Sequence, residues 1–223
     1  MPTGNRPVLL LTRPQPDARR FAALLPEFQT VISPILRIAP VAHDSAALSR
    51  AEGLVFTSGH AVAAAGPGRG RLALCVGERT AQVAQAAGFR TRHGNGFAES
   101  LIPLIEAAEM ALIHPHGRHL AKRLPVPGMV VYDQHEVALN AQAQALLAGG
   151  RPVLLPLFSP RSAQLLASQT VDARAEIWPV AISRAALERW GRGGAHSIIA
   201  ERPDLPAMAE AVRALADRAG VGR

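Results

Sequence analysis

Short runs of apolar residues recur along the chain, and each run ends in a small polar or turn-forming cluster that opens a stretch with helical spacing. The runs are residues 8–11, 53–56, 72–76, 110–113, 153–158 and 180–182. Alternation of buried strands and amphipathic helices is typical of parallel sheets. The pattern therefore predicts an α/β fold.

The first of these units has clear boundaries. Pro14 has no backbone N–H for a sheet ladder and forces the preceding residue into an extended conformation, so the strand ends there. A helix can begin at Pro16, because proline is tolerated in a first helical turn. Its predicted apolar face carries Phe21, Leu24 and Leu25.

The strand–helix units form two series at a nearly constant offset. Residues 56–58 are echoed by 158–160, residues 76–81 by 182–186, and the opening strand and helix by 111–124. Any βαβ protein contains similar units, but here several units keep both order and spacing, which indicates an internal duplication. Two α/β halves follow, with a cleft between them as the default ligand site.

Composition restricts the class of protein. Of the 223 residues, 48% are hydrophobic and 18% charged, which is enough to bury a core and excludes a disordered chain. Cys75 is the only cysteine, so the fold has no internal disulfide, as expected in the cytoplasm. The apolar run near the N-terminus is too short for a signal peptide, and no run is long enough for a membrane helix.

The net charge is +7, from 24 Lys and Arg against 17 Asp and Glu, which favours anionic partners. The basic residues are scattered and are not interleaved with aromatic ones, so the sequence does not predict nucleic-acid binding.

Strong site motifs are absent from the sequence. The glycine-rich segment 66–70 lacks the Lys-Ser/Thr of a phosphate-binding loop and is interpreted as an ordinary loop. His114, His116 and His119 could bind zinc, but Pro115 separates the first two, so we predict surface or anion-contacting histidines and no metal. Cys75 is interpreted as a small buried residue.

Small polar residues follow several predicted strands. Ligands of open parallel sheets bind beyond the carboxyl ends of the strands, where hydroxyls and free helix N–H groups can hold anions. The alternative is that each hydroxyl only caps its helix. The residues are Thr12, Thr57, Ser58, the segment 77–80, Ser159 and Ser183.

Tyr132, the only tyrosine, lies where the chain would pass between the two halves. It is either a strand aromatic or a phenol with a pKa near 10 at the mouth of the cleft.

In these residues the chain resembles the uroporphyrinogen-III synthase family over almost its whole length. The matching segments, in order, are Leu-Thr-Arg-Pro at 11–14, Ser-Pro-Ile-Leu-Arg-Ile at 33–38, Phe-Thr-Ser at 56–58, Val-Gly at 76–77, Thr-Ala at 80–81, Gly-Phe at 88–89, Val-Tyr at 131–132, Phe-Ser-Pro-Arg-Ser at 158–162, Ala-Ile-Ser at 181–183 and Ala-Glu-Arg-Pro at 200–203.

The resemblance implies two flavodoxin-like, Rossmann-like parallel-sheet domains joined by a two-strand linker, with a cleft between them. Residues 1–36 and 136–223 would form one discontinuous domain and residues 37–135 the other. The linker strands would lie within 33–41 and 129–137.

The resemblance also implies the reaction. Family members cyclise hydroxymethylbilane, a linear tetrapyrrole with carboxylate side chains, to uroporphyrinogen III, with loss of water and inversion of the last ring through a spiro intermediate. No cofactor is used. Tyr132 matches the tyrosine thought to assist hydroxyl departure. We expect the substrate to contact Thr12, Arg13, Thr57, Ser58, Gly77, Thr80, Ser159, Arg161 and Ser183. The expected protein is a cytoplasmic monomer that needs neither nucleic acid nor a membrane.

Two positions depart from the family pattern. Ala185-Ala186 stands where relatives often carry a threonine, and Gly59-His60 stands where they often carry Pro-Arg. Because no strong acid–base pair is present, the alternative is a non-catalytic two-domain module that binds a small polyanion.

Overall fold

The computed structural model describes residues 6–120, 122–192 and 196–218. They form a mixed α/β protein with two sheets in which most strand pairs are parallel. The strands are β1 (Val8–Leu11), β2 (Thr30–Ile32), β3 (Leu36–Pro40), β4 (Gly53–Phe56), β5 (Leu72–Cys75), β6 (Arg90–His93), β7 (Leu112–Gly117), β8 (Gly128–Glu136), β9 (Val153–Leu157), β10 (Ile177–Ala181) and β11 (Ile198–Ile199).

The longer helices follow or precede these strands. They are α1 (Gln15–Ala22), α2 (Ser45–Arg50), α3 (Glu78–Ala86), α4 (Ile102–Glu106), α5 (Ala141–Ala148), α6 (Pro160–Gln169), α7 (Arg184–Trp190) and α8 (Leu205–Arg218). Within the described ranges, none of them is long and apolar enough to span a membrane.

The chain divides into two compact units. Unit 1 combines the chain up to Arg37 with the chain from Glu136 onward, and unit 2 is Ile38–His135. The sheet of unit 1 has the order β2-β1-β9-β10-β11. This is the strand order of flavodoxin-like folds.

The sheet of unit 2 repeats this order with a different starting point. Its strands run β3-β8-β7-β4-β5-β6. Strands β8, β7, β4, β5 and β6 therefore occupy the places that β2, β1, β9, β10 and β11 occupy in unit 1. The edge strand β3 is additional.

In unit 1, apolar residues cover both faces of the sheet. Leu9 and Leu11 of β1 are fully buried with Phe21 of α1 and Met208 of α8. Leu10, between them, faces the opposite cluster, which contains residues of α5, α6 and α7. Alternate residues of a strand point to opposite faces, so a strand buried on both faces is a continuous apolar run.

Unit 2 follows the same rule in its central strands. Leu54 and Phe56 of β4 pack with residues of α2 and α3, and Val55 packs on the other face with Leu101 and Ile105. The sequence run 53–56 is therefore a strand buried on both sides, as its composition predicted.

The predicted strands at 8–11 and 53–56 are confirmed, but other expectations need correction. β6, with the sequence Arg-Thr-Arg-His, was not predicted, because a mostly exposed edge strand has no apolar run. Leu24 does not lie on the apolar face of α1: the helix ends at Ala22, and Leu24 is 39% exposed. The strand predicted at 110–113 extends to Gly117, through Pro115.

Candidate functional site

In unit 1, the polar residues expected to meet substrate lie at one edge of the sheet. Thr12 and Arg13 follow β1, Ser159 follows β9, and Ser183 lies two residues beyond β10. These three strands are neighbours and run parallel, so their carboxyl ends share an edge.

Two of the serines cap helices that start at this edge. Ser159 Oγ accepts a hydrogen bond from Ser162 N at 3.1 Å, and Ser183 Oγ accepts one from Ala186 N at 3.3 Å. The capping alternative is therefore correct for both side chains. The remaining N–H groups of the first turns of α6 and α7 stay oriented along the helix axis, where an anion is favoured. Arg161, half-buried, lies in the first turn of α6.

Arg13 is held against an aromatic surface. Its guanidinium carbon lies 4.3 Å from the centre of the Phe158 ring, which itself packs edge-on against Phe21. Burial lowers the pKa of Arg13 below its ordinary value, and the carboxylate of Asp17, at 4.0 Å, only partly offsets this. Thr12 beside it is 4% exposed.

In unit 2, the corresponding edge carries Thr57 and Ser58, directly after β4. Ser58 Oγ accepts a hydrogen bond from His60 N at 3.3 Å and caps a short 3-10 helix, Gly59–Ala61. Thr57 Oγ1 lies 2.9 Å from His114 Nε2. Both hydroxyls therefore have partners within the unit.

The next strand, β5, is followed by α3. Gly77 is the N-cap residue of α3 and has an extended backbone. A Cβ atom on Gly77 would lie 3.3 Å from the Cα of Gly96, so the residue allows a close approach of two backbone segments. Thr80 lies in the first turn of α3 and is 7% exposed.

Tyr132 is buried in β8 beside the end of β7. It pairs in register with Gly117, and a Cβ atom on Gly117 would lie 2.5 Å from Tyr132 Cε2. The glycine therefore makes room for the phenol ring. The ring of His60, from the turn after β4, lies edge-on with its centre 6.0 Å away. The phenol is thus placed between the ends of two neighbouring strands.

The three clustered histidines were expected to lie on the surface or to contact an anion, and the surface alternative is wrong for two of them. The exposed fractions of His114 and His116 are 2% and 8%. The two residues stand two positions apart in β7, so their side chains point to the same face of the sheet. Burial, with a smaller contribution from the charge of His116, lowers the pKa of His114 to about 4. His119 is half exposed, with Nε2 3.7 Å from Asp133.

Two other expectations for unit 2 are confirmed, the burial of Cys75 and the loop at 66–70. Cys75 is fully buried, and desolvation raises the pKa of its thiol to about 12, so it is not poised as a nucleophile. The segment 66–70 is a loop. In the described parts of the chain, no three His, Cys, Asp or Glu side chains are grouped closely enough to hold a metal ion.

Three features were missed by sequence reasoning. Gly117 was not recognised as the partner of Tyr132, nor His60 as its neighbour, because both are distant in sequence. The buried pair His114 and His116 could have been found, since with Leu112 they show the alternation of a strand. Pro115 concealed this alternation, because proline usually interrupts a strand. In the structure Pro115 pairs in register with Met129 and does not end β7.

The structure also corrects the alignment of the two halves of the internal duplication, by one residue at one point. The serines that cap the elements after β4 and β9 are Ser58 and Ser159. Matching Phe56 with Phe158 would instead place Ser58 opposite Pro160, so the identity of the two phenylalanines was misleading. The alignment of residues 76–81 with 182–186 places Gly77 opposite Ser183, and both are N-cap residues in the structure.

Comparison with known proteins gives one family. A family model described as "Uroporphyrinogen-III synthase HemD" matches residues 26–210. Among solved structures, the uroporphyrinogen-III synthetase from Helicobacter pylori is similar with a TM-score of 0.66 at 18% identity, covering 94% of this chain and 99% of that one. A mutant uroporphyrinogen III synthase from Thermus thermophilus has a TM-score of 0.52 at 16% identity, covering 95% and 99%. No curated protein sequence matches the chain.

Proposed function

The chain belongs to the uroporphyrinogen-III synthase family, and on that premise we propose that it closes hydroxymethylbilane into uroporphyrinogen III, with loss of water and inversion of the last pyrrole ring. The observation that carries the proposal is the family match over residues 26–210. Loss of water with ring closure makes the enzyme a lyase. The comparisons give no support to a non-catalytic polyanion-binding module.

Arg13 is the main charged contact of unit 1 with a substrate carboxylate. Its stacking on Phe158 removes water from one face of the guanidinium. A desolvated guanidinium gains more from a carboxylate than a solvated one, and its planar fork suits bidentate binding. Thr12 and Arg161 lie at the same edge of the sheet and contribute further polar groups.

Ser159 and Ser183 act mainly by fixing the starts of α6 and α7. With each hydroxyl oxygen bonded to its helix, the free N–H groups of the first turns are presented to carboxylates without rearrangement. In unit 2, Ser58 has the same function at the turn after β4, and Gly77, which has no side chain, leaves the first N–H groups of α3 uncovered after β5. Thr57 and Thr80 complete this part of the recognition surface.

Tyr132 assists departure of the hydroxyl group by donating a proton or a hydrogen bond from its phenol. The close packing on Gly117 supports this proposal, because it fixes the ring in one orientation. The pyrrole nitrogens of the substrate supply the electrons that expel the hydroxyl group. The remaining contribution of the protein is to hold the substrate so that the last ring attacks through its substituted carbon.

The enzyme acts in the cytoplasm as a monomer, without a cofactor or nucleic acid. Support comes from the single buried Cys75, which forms no disulfide, and from basic residues that are scattered over the sequence.

Incubation of the protein with hydroxymethylbilane, followed by separation of the uroporphyrinogen isomers, tests the function directly. The inverted isomer should predominate over the uninverted isomer that forms spontaneously. Only the uninverted isomer, at the uncatalysed rate, would refute the activity.

Substitution Tyr132→Phe tests the role of the phenol. General acid assistance is typically worth about 10²- to 10⁴-fold, so formation of the inverted isomer should slow by about that factor while substrate still binds. Phe97→Leu, a substitution of an exposed aromatic residue of unit 2, is the control and should keep the full rate. If Tyr132→Phe kept the full rate while Thr80→Ala or Ser58→Ala lost it, Tyr132 would be only a strand aromatic.

A further inference from the structure

Unit 2 contains a cavity that the proposed reaction does not use. Its volume is about 700 Å³, within the range of small-molecule sites. It lies over β7 and β8, beside described residues of the segment that joins them. The lining residues are His114, His116, Arg118, Leu120, Lys122, Arg123, Leu124, Val126, Gly128 and Val130.

The floor of the cavity is built by two buried imidazoles. His116 is 92% buried, since its exposed fraction is 8%, and its Nδ1 atom lies 2.8 Å from the carbonyl oxygen of Gly117. Its other nitrogen, Nε2, has no hydrogen-bond partner among the described residues and lies over Gly128, where a Cβ atom would approach it to 2.7 Å. One polar atom of a buried side chain is therefore left to face the cavity.

The charges around the cavity have one sign. Three cationic side chains line it, and no carboxylate is among its described lining residues. Arg118 Nε donates to Asp133 at 2.7 Å and Lys122 donates to Glu99 at 2.9 Å, so both are partly neutralised. Arg118 keeps its terminal N–H groups, and Arg123 forms no ion pair with any described residue.

Several of the other lining residues are apolar. Leu124 is 8% exposed and packs with Val126 against the sheet, and Val130 lies on β8. A ligand that fits such a site needs an anionic group for the cations and an apolar body for the aliphatic wall. A free inorganic anion would leave the apolar wall without contacts.

We propose that this cavity binds a small organic anion, with a carboxylate or phosphate group held by Arg118, Lys122 and Arg123 and an apolar body packed on Leu124, Val126 and Val130. The residues assigned to the reaction do not line the cavity, although His114 of its lining contacts Thr57 and Arg118 N donates to the carbonyl oxygen of Tyr132.

Naphthalene-2-carboxylate is a suitable probe. Calorimetry should detect its binding to the full chain, and NMR of the imidazole nitrogens should show a change at His116. Acetate lacks the apolar body and 2-naphthalenemethanol lacks the charge, so both should bind at least about tenfold more weakly, which corresponds to the loss of one favourable group contact.

Substitution Arg123→Gln should weaken binding of the probe by about fivefold or more, because it removes a cation that no described carboxylate neutralises. The matched control is Arg189→Gln, which removes an exposed arginine of unit 1 and should leave the affinity unchanged. Thermal unfolding of both variants checks that they are folded.

Three results would overturn the inference. The first is no binding of naphthalene-2-carboxylate at millimolar concentration. The second is equal binding of the neutral alcohol, which would make the cavity an apolar one only. The third is loss of binding in Arg13→Gln but not in Arg123→Gln, which would place the probe at the residues proposed to bind substrate. None of these results bears on the isomer assay.

Discussion

The first two strands of the flavodoxin-like order are connected in different ways in the two units. In unit 1, β1 is followed by α1, whose Phe21 is fully buried against Leu9 and Leu11. In unit 2, β7 and β8 occupy the same places, but no helix is assigned to the described residues between them. A covering helix in one unit corresponds to a cavity-forming segment in the other.

The pairing registers show which residues correspond. Leu9 pairs with Leu154, and Leu112 pairs with Gly53. Leu154 and Gly53 stand at the same distance before the capping serines, so Leu9 corresponds to Leu112. Two residues further on, Leu11 therefore corresponds to His114. Where a helix supplies apolar cover the strand is apolar, and where it is missing the strand carries histidines. The strand order can thus persist while one face of the sheet changes its chemistry.

The largest expected effect on stability is in unit 1, where α1 covers the sheet. Phe21→Ala should lower the free energy of unfolding of unit 1 by about 3–5 kcal/mol, because it removes a fully buried ring in contact with Phe158. Urea unfolding followed by tryptophan fluorescence measures it, since Trp178 and Trp190 both lie in unit 1.

The counterpart is Leu124→Ala in the segment between β7 and β8. Leu124 already borders a cavity and loses fewer contacts, so we expect about 2 kcal/mol, the low end for such a change. Urea unfolding followed by circular dichroism measures it. A cost as large as that of Phe21→Ala would mean that the segment packs as tightly as a helix.

The next prediction uses the titration of His114. Its pKa is lowered from 6.5 to about 4 in the folded chain, so between these values the unfolded state binds more protons. The free energy of unfolding should therefore fall as the pH decreases from 6.5 towards 4, by up to about 3 kcal/mol for a shift of this size. Urea unfolding at a series of pH values gives the slope.

Substitution His114→Leu places the residue of unit 1 at the corresponding position of unit 2. It should remove most of the pH dependence in this window, because leucine does not titrate. An unchanged slope in the variant would assign the effect to other groups.

The smallest effect concerns the capping serines. Ser159→Ala removes the cap of a helix that extends from Pro160 to Gln169 and should cost about 1 kcal/mol. Ser58→Ala removes the cap of a three-residue 3-10 helix and should cost only a few tenths of a kcal/mol. Chemical unfolding of both variants compares them, and a larger cost for Ser58→Ala would show that its hydroxyl does more than cap.

The central strands could be predicted from the sequence because they are buried on both faces. Residues 8–11 and 53–56 are continuous apolar runs, and no alternative to a buried strand fits their length and setting. β6 and β11 lie at sheet edges, where fewer apolar residues are required, and β6 has none. Its position depends on pairing with β5, a contact that no local pattern encodes.

The candidate site was partly predictable for a similar reason. The strand-end hydroxyls could be found because strand ends are local features, and all three serines among them cap the elements that follow. The surroundings of Tyr132 were not predictable. They depend on Gly117 and His60, which approach it only through the pairing of β7 with β8 and the turn after β4.

The split of unit 1 along the chain has a consequence for synthesis on the ribosome. β1 pairs with β9, which begins only at Val153. At about 5–20 residues per second, roughly 6–24 s pass between the emergence of β2 and that of β9. All strands of unit 2 are made within this interval, so unit 2 can fold first. The apolar β1 and α1 meanwhile lack their main partners, which makes the nascent chain a substrate for chaperones that bind exposed apolar segments.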